Sequence, residues 1–297
     1  MHSGAAPRGS AVAPALNDLT DAAVASAIEE HQRGLSIRNT TVLGGAVYDR
    51  GVLLQCVSGA PVPFANGVVG ARLAPEDADE RIDEVVETFV RHAVPGIWWV
   101  GPNAEPADLP RRLERRGFVH QEAMPWLAAD LHEAPRGGAP AHRGLHVERV
   151  RDTRADAAWL QAMTEGFGLT DPARDLLGEL STRSGYDPTG AWVRFVGMLD
   201  GRPVGSSGLS MTGGGVAGIY NVATVPAERR HGVGHAMSRA AMLHARRLGF
   251  RVAVLGTSSM ARSLYTRLGF REVCVLHLYA WEPPARGRAL PVSSSSR

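Results

Sequence analysis

The segment Ile219-Tyr-Asn-Val-Ala-Thr-Val225, followed by Pro226-Ala-Glu-Arg-Arg-His-Gly-Val-Gly-His235, decides the architecture of this chain. Its first half is rich in β-branched and aromatic residues and closes on a proline that cannot continue a ladder, which predicts a β-strand. From Val233 on, the apolar spacing turns helical. Val233, Ala236, Met237, Ala240, Ala241 and Leu248 share one face, Arg239, Arg246 and Arg247 lie off it, and Gly249 supplies the stop. A strand is thus delivered through a glycine turn into a helix that begins at or just before Gly232. The first turn of such a helix presents N–H groups without intrahelical partners, and Gly232 and Gly234 carry no side chain to keep an anion from them.

Two familiar phosphate loops do not fit. A Walker loop needs a lysine, and all 32 Lys/Arg positions of the chain are arginine, which excludes a Schiff-base lysine as well. A dinucleotide fingerprint needs a third glycine where Met237 stands, and an acidic residue about 20 positions on. No carboxylate occurs between Phe250 and Ser259. On this turn alone, a tight strand-to-helix connection with solvated arginines is the remaining alternative.

A second segment adds to the first. Val252-Ala-Val-Leu255 reads as a short apolar strand, Gly256-Thr-Ser-Ser259 as a loop, and Met260 to Leu268 as a helix capped by Ser259 and stopped by Gly269. Together, Arg229-x-x-Gly232-x-Gly234 and Ala261-x-x-Leu264-Tyr265-x-x-x-Gly269-Phe270 resemble the two acyl-CoA segments of the GNAT (N-acetyltransferase) superfamily. The resemblance implies an α/β fold with a mixed, mostly antiparallel sheet flanked by helices, in which two adjacent strands splay around a pantetheine arm. It implies acetyl-CoA as co-substrate, with main-chain groups of Val222, Ala223 and Thr224 on the arm. Arg229, Arg230, His231, Gly232, Val233, Gly234 and His235 would then surround the diphosphate, with Ser258 and Ala261 on the second segment. Tyr265 matches the tyrosine that protonates the departing thiolate. A phenol of pKa about 10 suits a thiol leaving group of about 8.5. Without the resemblance, Tyr265 reads as a core aromatic whose hydroxyl has a partner.

The chain departs from the family pattern twice. Ser258 stands where many members have asparagine, and Ala253 where some carry a glutamate base. An attacking ammonium must still lose a proton. Glu165, at the end of a predicted helix with Trp159, Leu160 and Met163, is a candidate base, and Tyr220 and Asn221 are candidates to hold a relay water. His231 and His235 read as phosphate contacts or solvent-exposed groups rather than bases.

Arg112-Leu-Glu-Arg-Arg-Gly117-Phe118 repeats the ending Leu264-Tyr-Thr-Arg-Leu-Gly269-Phe270, and Ile97-Trp-Trp-Val100 precedes it as Val252 to Leu255 precedes the other. Ile82, Val85, Val86, Phe89 and Val90 mark an amphipathic helix stopped by Pro95-Gly96. Two tandem copies of one fold are expected: a degenerate copy over 16–132, a linker at 133–145 and a catalytic copy over 146–282, with 1–15 and 283–297 disordered. The resemblance covers the second copy well and the first weakly. The first copy lacks the glycine motif and has Leu113 or Glu114 where Tyr265 stands, so its expected role is structural. Trp98, Trp99 and Trp126 are read as core packing, or as lining of an acceptor pocket. The second copy reads as a complete α/β unit: a helix from Trp159 to Phe167, a hairpin turned at Asp200-Gly201, a strand from Gly215 to Val225 and a last strand from Val273 to Trp281.

Length and composition agree with this reading. The 297 residues are 44% hydrophobic with a formal net charge of +2, and their arginines are interspersed with acids, so no nucleic-acid partner is expected. No apolar run reaches membrane-spanning or signal-peptide length, which places the expected protein in the cytoplasm. Cys56 and Cys274 lie in apolar strand-like stretches and are expected as buried thiols, with no metal site. The expected function is acetyl transfer from acetyl-CoA to an amine of a small-molecule acceptor by direct attack in a ternary complex. Two other readings stay open: a mycothiol-synthase-like acyltransferase, and an acyl-CoA-binding regulator without turnover.

Overall fold

The computed structural model describes residues 16–134, 143–258 and 261–283. The expected disordered ends apart from residue 283, most of the expected linker and the Ser259 cap lie outside the described residues. The N-terminal half contributes α1 (Asp21–Val42), β1 (Ala46–Asp49), β2 (Leu54–Val57), β3 (Asn66–Val69), α2 (Ala78–His92), β4 (Gly96–Val100), α3 (Leu109–Arg115) and β5 (Val119–Asp130). The C-terminal half contributes β6 (His146–Arg149), α4 (Thr153–Phe167), α5 (Asp171–Arg183), β7 (Trp192–Leu199), β8 (Arg202–Gly213), β9 (Val216–Thr224), α6 (Val233–Arg247), β10 (Val252–Gly256), α7 (Arg262–Arg267) and β11 (Arg271–Trp281). The expected hairpin is β7–β8, and its turn residues Asp200 and Gly201 both have positive φ (50° and 75°), the geometry of a type I′ turn.

The eleven strands of the described residues form one mixed sheet in the order β1-β2-β3-β4-β11-β5-β10-β9-β8-β7-β6. Among the described residues, only β3/β4 and β9/β10 pair in parallel, each joined by a crossover helix, α2 or α6. The segment β3–α2–β4–α3–β5 therefore repeats as β9–α6–β10–α7–β11, the tandem that the Gly-Phe endings announce. The last strands of the two repeats are exchanged. β11 lies against β4 from His277↔Val100 to Trp281↔Gly96, while β5 lies against β10 from Val252↔Asp130 to Gly256↔Trp126, and the two long strands pair with each other. This corrects the expectation of a second copy complete in itself.

Side chains follow the exchange. Tyr279 and Trp281 of β11 are buried in the core beneath α2 and α3, where Trp281 stacks on Phe89 at 6.0 Å. Leu127 and Ala129 of β5 are buried with Met237 and Ala241 of α6. Each half thus depends on the other for the apolar strand that completes its core, burial worth about 25 cal/mol per Å².

Helix α1 was not foreseen. Its buried positions include His31, Gln32 and Thr40 beside Val24, Ala25, Ala27 and Ile28, so its inward face carries no clean apolar stripe. It packs across the centre of the sheet and onto β8, so closely that a Cβ on Gly214 would sit 2.2 Å from the Ala27 carbonyl oxygen. Along β9, Ala217 and Ile219 join the core under α6, whereas Val216 and Tyr220 join the cluster containing Val24 and Ile28. Because strand side chains alternate, α1 and α6 cover opposite faces. Cys56 is buried as expected, but Cys274 is only partly buried, and both are free. Among the described residues, no helix is long and apolar enough to cross a membrane, and no group of three or more His, Cys, Asp or Glu is placed to hold a metal.

Candidate active site

The site begins where β9 and β10 part. Their register runs from Val252↔Val216 to Val254↔Gly218 and stops, although β9 continues to Thr224. Beyond that vertex β9 is bent: Asn221 has φ +53°, and a register shift against β8 falls between its partners Gly208 and Ser206. The Val225 N–H donates to the Val204 carbonyl, and Ala223 is registered with Ser206. Main-chain groups alternate along a strand, so Ala223 bonds toward β8 while those of Val222 and Thr224 face the gap. Of the three residues expected to offer free backbone there, Ala223 does not.

The gap leads to the start of α6. Gly232 caps the helix in the left-handed conformation (φ 82°) without a side-chain capping bond, and Arg230 before it is also left-handed (φ 65°). The amides of Val233, Gly234 and His235 therefore form an uncapped first turn. The inward face of α6 is Val233, Met237, Ala241 and Ala245, with His235, Ser238, Met242 and His244 also buried, a broader face than apolar spacing indicates. Around the turn, His231 is exposed with Nδ1 3.6 Å from Glu228. Burial, then the neighbouring Arg239 and Arg267, lowers the His235 pKa. Arg229 turns elsewhere than expected: its guanidinium donates to the carbonyl oxygens of Gly166 (2.9 Å) and Thr224 (3.5 Å), tying the last turn of α4 to the end of β9.

Tyr265 comes from α7, which is capped by Ala261, whose N–H donates to the Ser258 carbonyl. Ser258 itself is exposed. The Tyr265 ring is 7% exposed, packs edge-on against Phe270 at 5.7 Å, and directs its hydroxyl to Ser238 of α6. Ser238 Oγ in turn donates to the Gly234 carbonyl. Burial pushes the phenol up to about 12, the Ser238 bond opposing it, so Tyr265 holds its proton at working pH. The hydroxyl is thereby linked through one serine to the glycine turn.

The candidate bases fare unequally. Glu165 is exposed on α4, and Ala253 is fully buried. Tyr220 lies two residues beyond the vertex, on the α1 face, with its hydroxyl buried. Beside it stands a residue that sequence reasoning missed. His31 of α1 is completely buried and stacks on Tyr220, with ring centroids 5.9 Å apart and planes at 14°. The only local hint was the glycine run 213–215, which lets α1 approach. Trp126 and Trp192 meet the same tyrosine at 6.4 and 6.1 Å, so Trp126 does border the site, whereas Trp98 is core.

Burial pulls the His31 imidazole from 6.5 down to about 4. Its folded pKa lies below its unfolded value, so the unfolded chain takes up the proton first as pH falls. The contribution of the neutral ring is intact above about 6.5 and is lost progressively toward pH 4, by about 3 kcal/mol. Urea unfolding of wild type and His31→Gln should show their stability difference shifting by that amount, against wild type, between pH 7 and pH 4. A difference independent of pH would contradict the buried neutral histidine.

A parallel strand pair that opens beside an uncapped helix start, with a second helix leaning a tyrosine against it, is the arrangement of the acetyltransferase class that the motifs resemble. Residues 158–270 match the family model described as Acetyltransferase (GNAT) family, and the C-terminal half is a GNAT domain within a tandem GNAT fold. No curated protein matches the chain in sequence. Among solved structures, a GCN5-related N-acetyltransferase from Kribbella flavida superposes with a TM-score of 0.69 at 18% identity, covering 90% of this chain and 98% of that one. A tandem GNAT protein from the clavulanic acid biosynthesis pathway gives 0.59 at 14% identity, covering 92% and 98%. A GCN5-related N-acetyltransferase from Sphaerobacter thermophilus gives 0.58 at 18%, covering 78% and 76%. At such identities the likeness is one of fold.

Proposed function

We propose that this protein is a cytoplasmic acetyltransferase that moves an acetyl group from acetyl-CoA to an amine of a small molecule by direct attack in a ternary complex. The observation that carries the reading is the parting of β9 from β10 at Gly218, which leaves Val222 and Thr224 without a β10 partner along a gap ending at bare first-turn amides. Two free cysteines suit a reducing compartment. The co-substrate supplies an activated acyl group on a thiol leaving group. Val222 and Thr224 hold its arm as a neighbouring strand would. The amides of 233–235 and the positive end of α6 hold its phosphates. Arg230 and His231 flank that turn, and Arg229 acts by fixing the shape of the gap. Tyr265 supplies the proton to the leaving sulfur. Calorimetry with CoA and acetyl-CoA, together with thiol release on a panel of amines, tests the assignment. Absence of heat with both ligands would sink it, and tight binding with no turnover would favour a regulator.

Gly234 gives a sharper test. A Cβ added there would lie 3.4 Å from Leu264 Cδ2 and 3.6 Å from Thr224 Oγ1, ordinary contacts, so the fold does not require glycine at this position. Gly234→Ala should therefore match or exceed wild type in melting temperature, since alanine lowers unfolded-state entropy by about 0.4–1 kcal/mol. Its affinity for acetyl-CoA should fall by about tenfold or more, a loss of about 1.4 kcal/mol. Unchanged affinity would place the phosphates elsewhere.

A further inference from the structure

Ala253 is buried and carries no base and Glu165 is exposed, whereas the N-terminal half brings a histidine to the gap. His31 sits at the vertex of the gap. A Cβ built on Gly218, the last β9 residue paired with β10, would lie 2.3 Å from His31 Nε2. Nδ1 of the ring lies 3.5 Å from Thr212 Oγ1, which donates to the His31 carbonyl at 3.2 Å. With its own proton so placed, Thr212 Oγ1 accepts from Nδ1–H, which leaves the Nε2 lone pair to act as acceptor. Nε2 is buried without a partner among the described residues, and so are the Tyr220 hydroxyl and Trp126 Nε1. Trp126 Nε1 stands 3.2 Å from a Cβ position on Gly256, the last residue of β10, on the other lip of the gap. Buried polar groups are ordinarily satisfied, and three orphans gathered around one tyrosine ring beside the vertex of a splayed strand pair call for a hydrogen-bonding partner.

We propose that His31, delivered by the N-terminal half, is the general base of the transfer, its Nε2 taking the proton that the attacking amine loses, with the Tyr220 hydroxyl holding that amine beside it. The inference rests on the acetyl-CoA reading above. As the amine nitrogen bonds to the thioester carbonyl carbon and the C–S bond breaks, one N–H proton passes to His31 Nε2, and Tyr265 gives its phenolic proton to the sulfur. Imidazolium and phenolate are then neutralised by net transfer of one proton through water. At neutral pH burial keeps His31 uncharged before the reaction, so the ring starts in its accepting form. The degenerate half is thereby part of the active site, not a scaffold alone.

The full chain labelled with ¹⁵N at its backbone and histidines tests this. The ring signal missing in His31→Gln identifies His31, which should show the Nδ1–H tautomer and should shift on addition of acetyl-CoA together with the amides of 233–235. His31→Gln should keep its affinity for acetyl-CoA within about twofold, while thiol release with water or benzylamine as acceptor falls by about 10²–10⁴. Added imidazole should partly restore His31→Ala, which a purely structural role would not allow. Shifts at 233–235 without any at His31, or equal thiol release in wild type and His31→Gln, zero included, would overturn the base assignment and leave coenzyme binding standing. If none of these signals moves, the coenzyme reading itself fails and the base with it.

Discussion

Tyr265→Phe is expected to lower kcat by about 10²–10⁴ and to leave the affinity for acetyl-CoA within about twofold. The substitution keeps the ring that packs against Phe270 and removes only the hydroxyl directed at Ser238. Ser238 retains its bond to the Gly234 carbonyl, so no buried partner is orphaned, and the stability cost should stay near 0.5–1.5 kcal/mol. The hydroxyl is held through Ser238, whose own proton goes to the Gly234 carbonyl in the first turn of α6. Raised to about 12 by burial, it is a proton reserve for a developing thiolate and a poor base. Single-turnover thiol release and calorimetry separate the two effects. A variant that keeps its kcat, or one that loses coenzyme affinity and kcat in equal measure, would return Tyr265 to the role of a core aromatic.

Trp281→Ala is expected to destabilise the protein by about 3–5 kcal/mol, measured by urea unfolding. Trp281 is 3% exposed and belongs to the last strand of the C-terminal half, yet it fills the core under α2 and α3, where its ring lies 6.0 Å from that of Phe89. Were β11 merely the closing strand of its own half, truncating its final residue would fray an end and cost little. In the exchanged arrangement the same truncation opens a cavity in the other half. A loss below about 1 kcal/mol would mean that the strand does not pair with β4 as described.

Much of this was legible residue by residue. The glycine turn, α6, the hairpin at Asp200-Gly201, the strand before Pro226 and the Gly-Phe endings of the two repeats all rest on local rules. Positive φ requires glycine or a permissive residue, proline ends a ladder, and side-chain period separates helix from strand. Tyr265 was legible because its motif is contiguous. Three elements of the site were not. Asn221 carries a left-handed bend inside a strand of good β-formers, which nothing in its neighbours announces. Arg229 stands at a spacing suited to a phosphate but finds two main-chain carbonyls first. Helix α1 has the polar residues His31, Gln32 and Thr40 on its buried face, so its period is masked by the very group proposed to do chemistry.

Local chemistry was enough to specify a strand–turn–helix that exposes amides to an anion, and a second copy of the same α/β unit lacking that turn. It was not enough to say which copy each closing strand completes or which copy supplies the histidine at the vertex. Strands β5 and β11 end equivalent repeats and run antiparallel side by side. Either can offer its apolar side chains to its own core or to its neighbour's, and only the simultaneous packing of both cores and of α1 over β9 chooses between them.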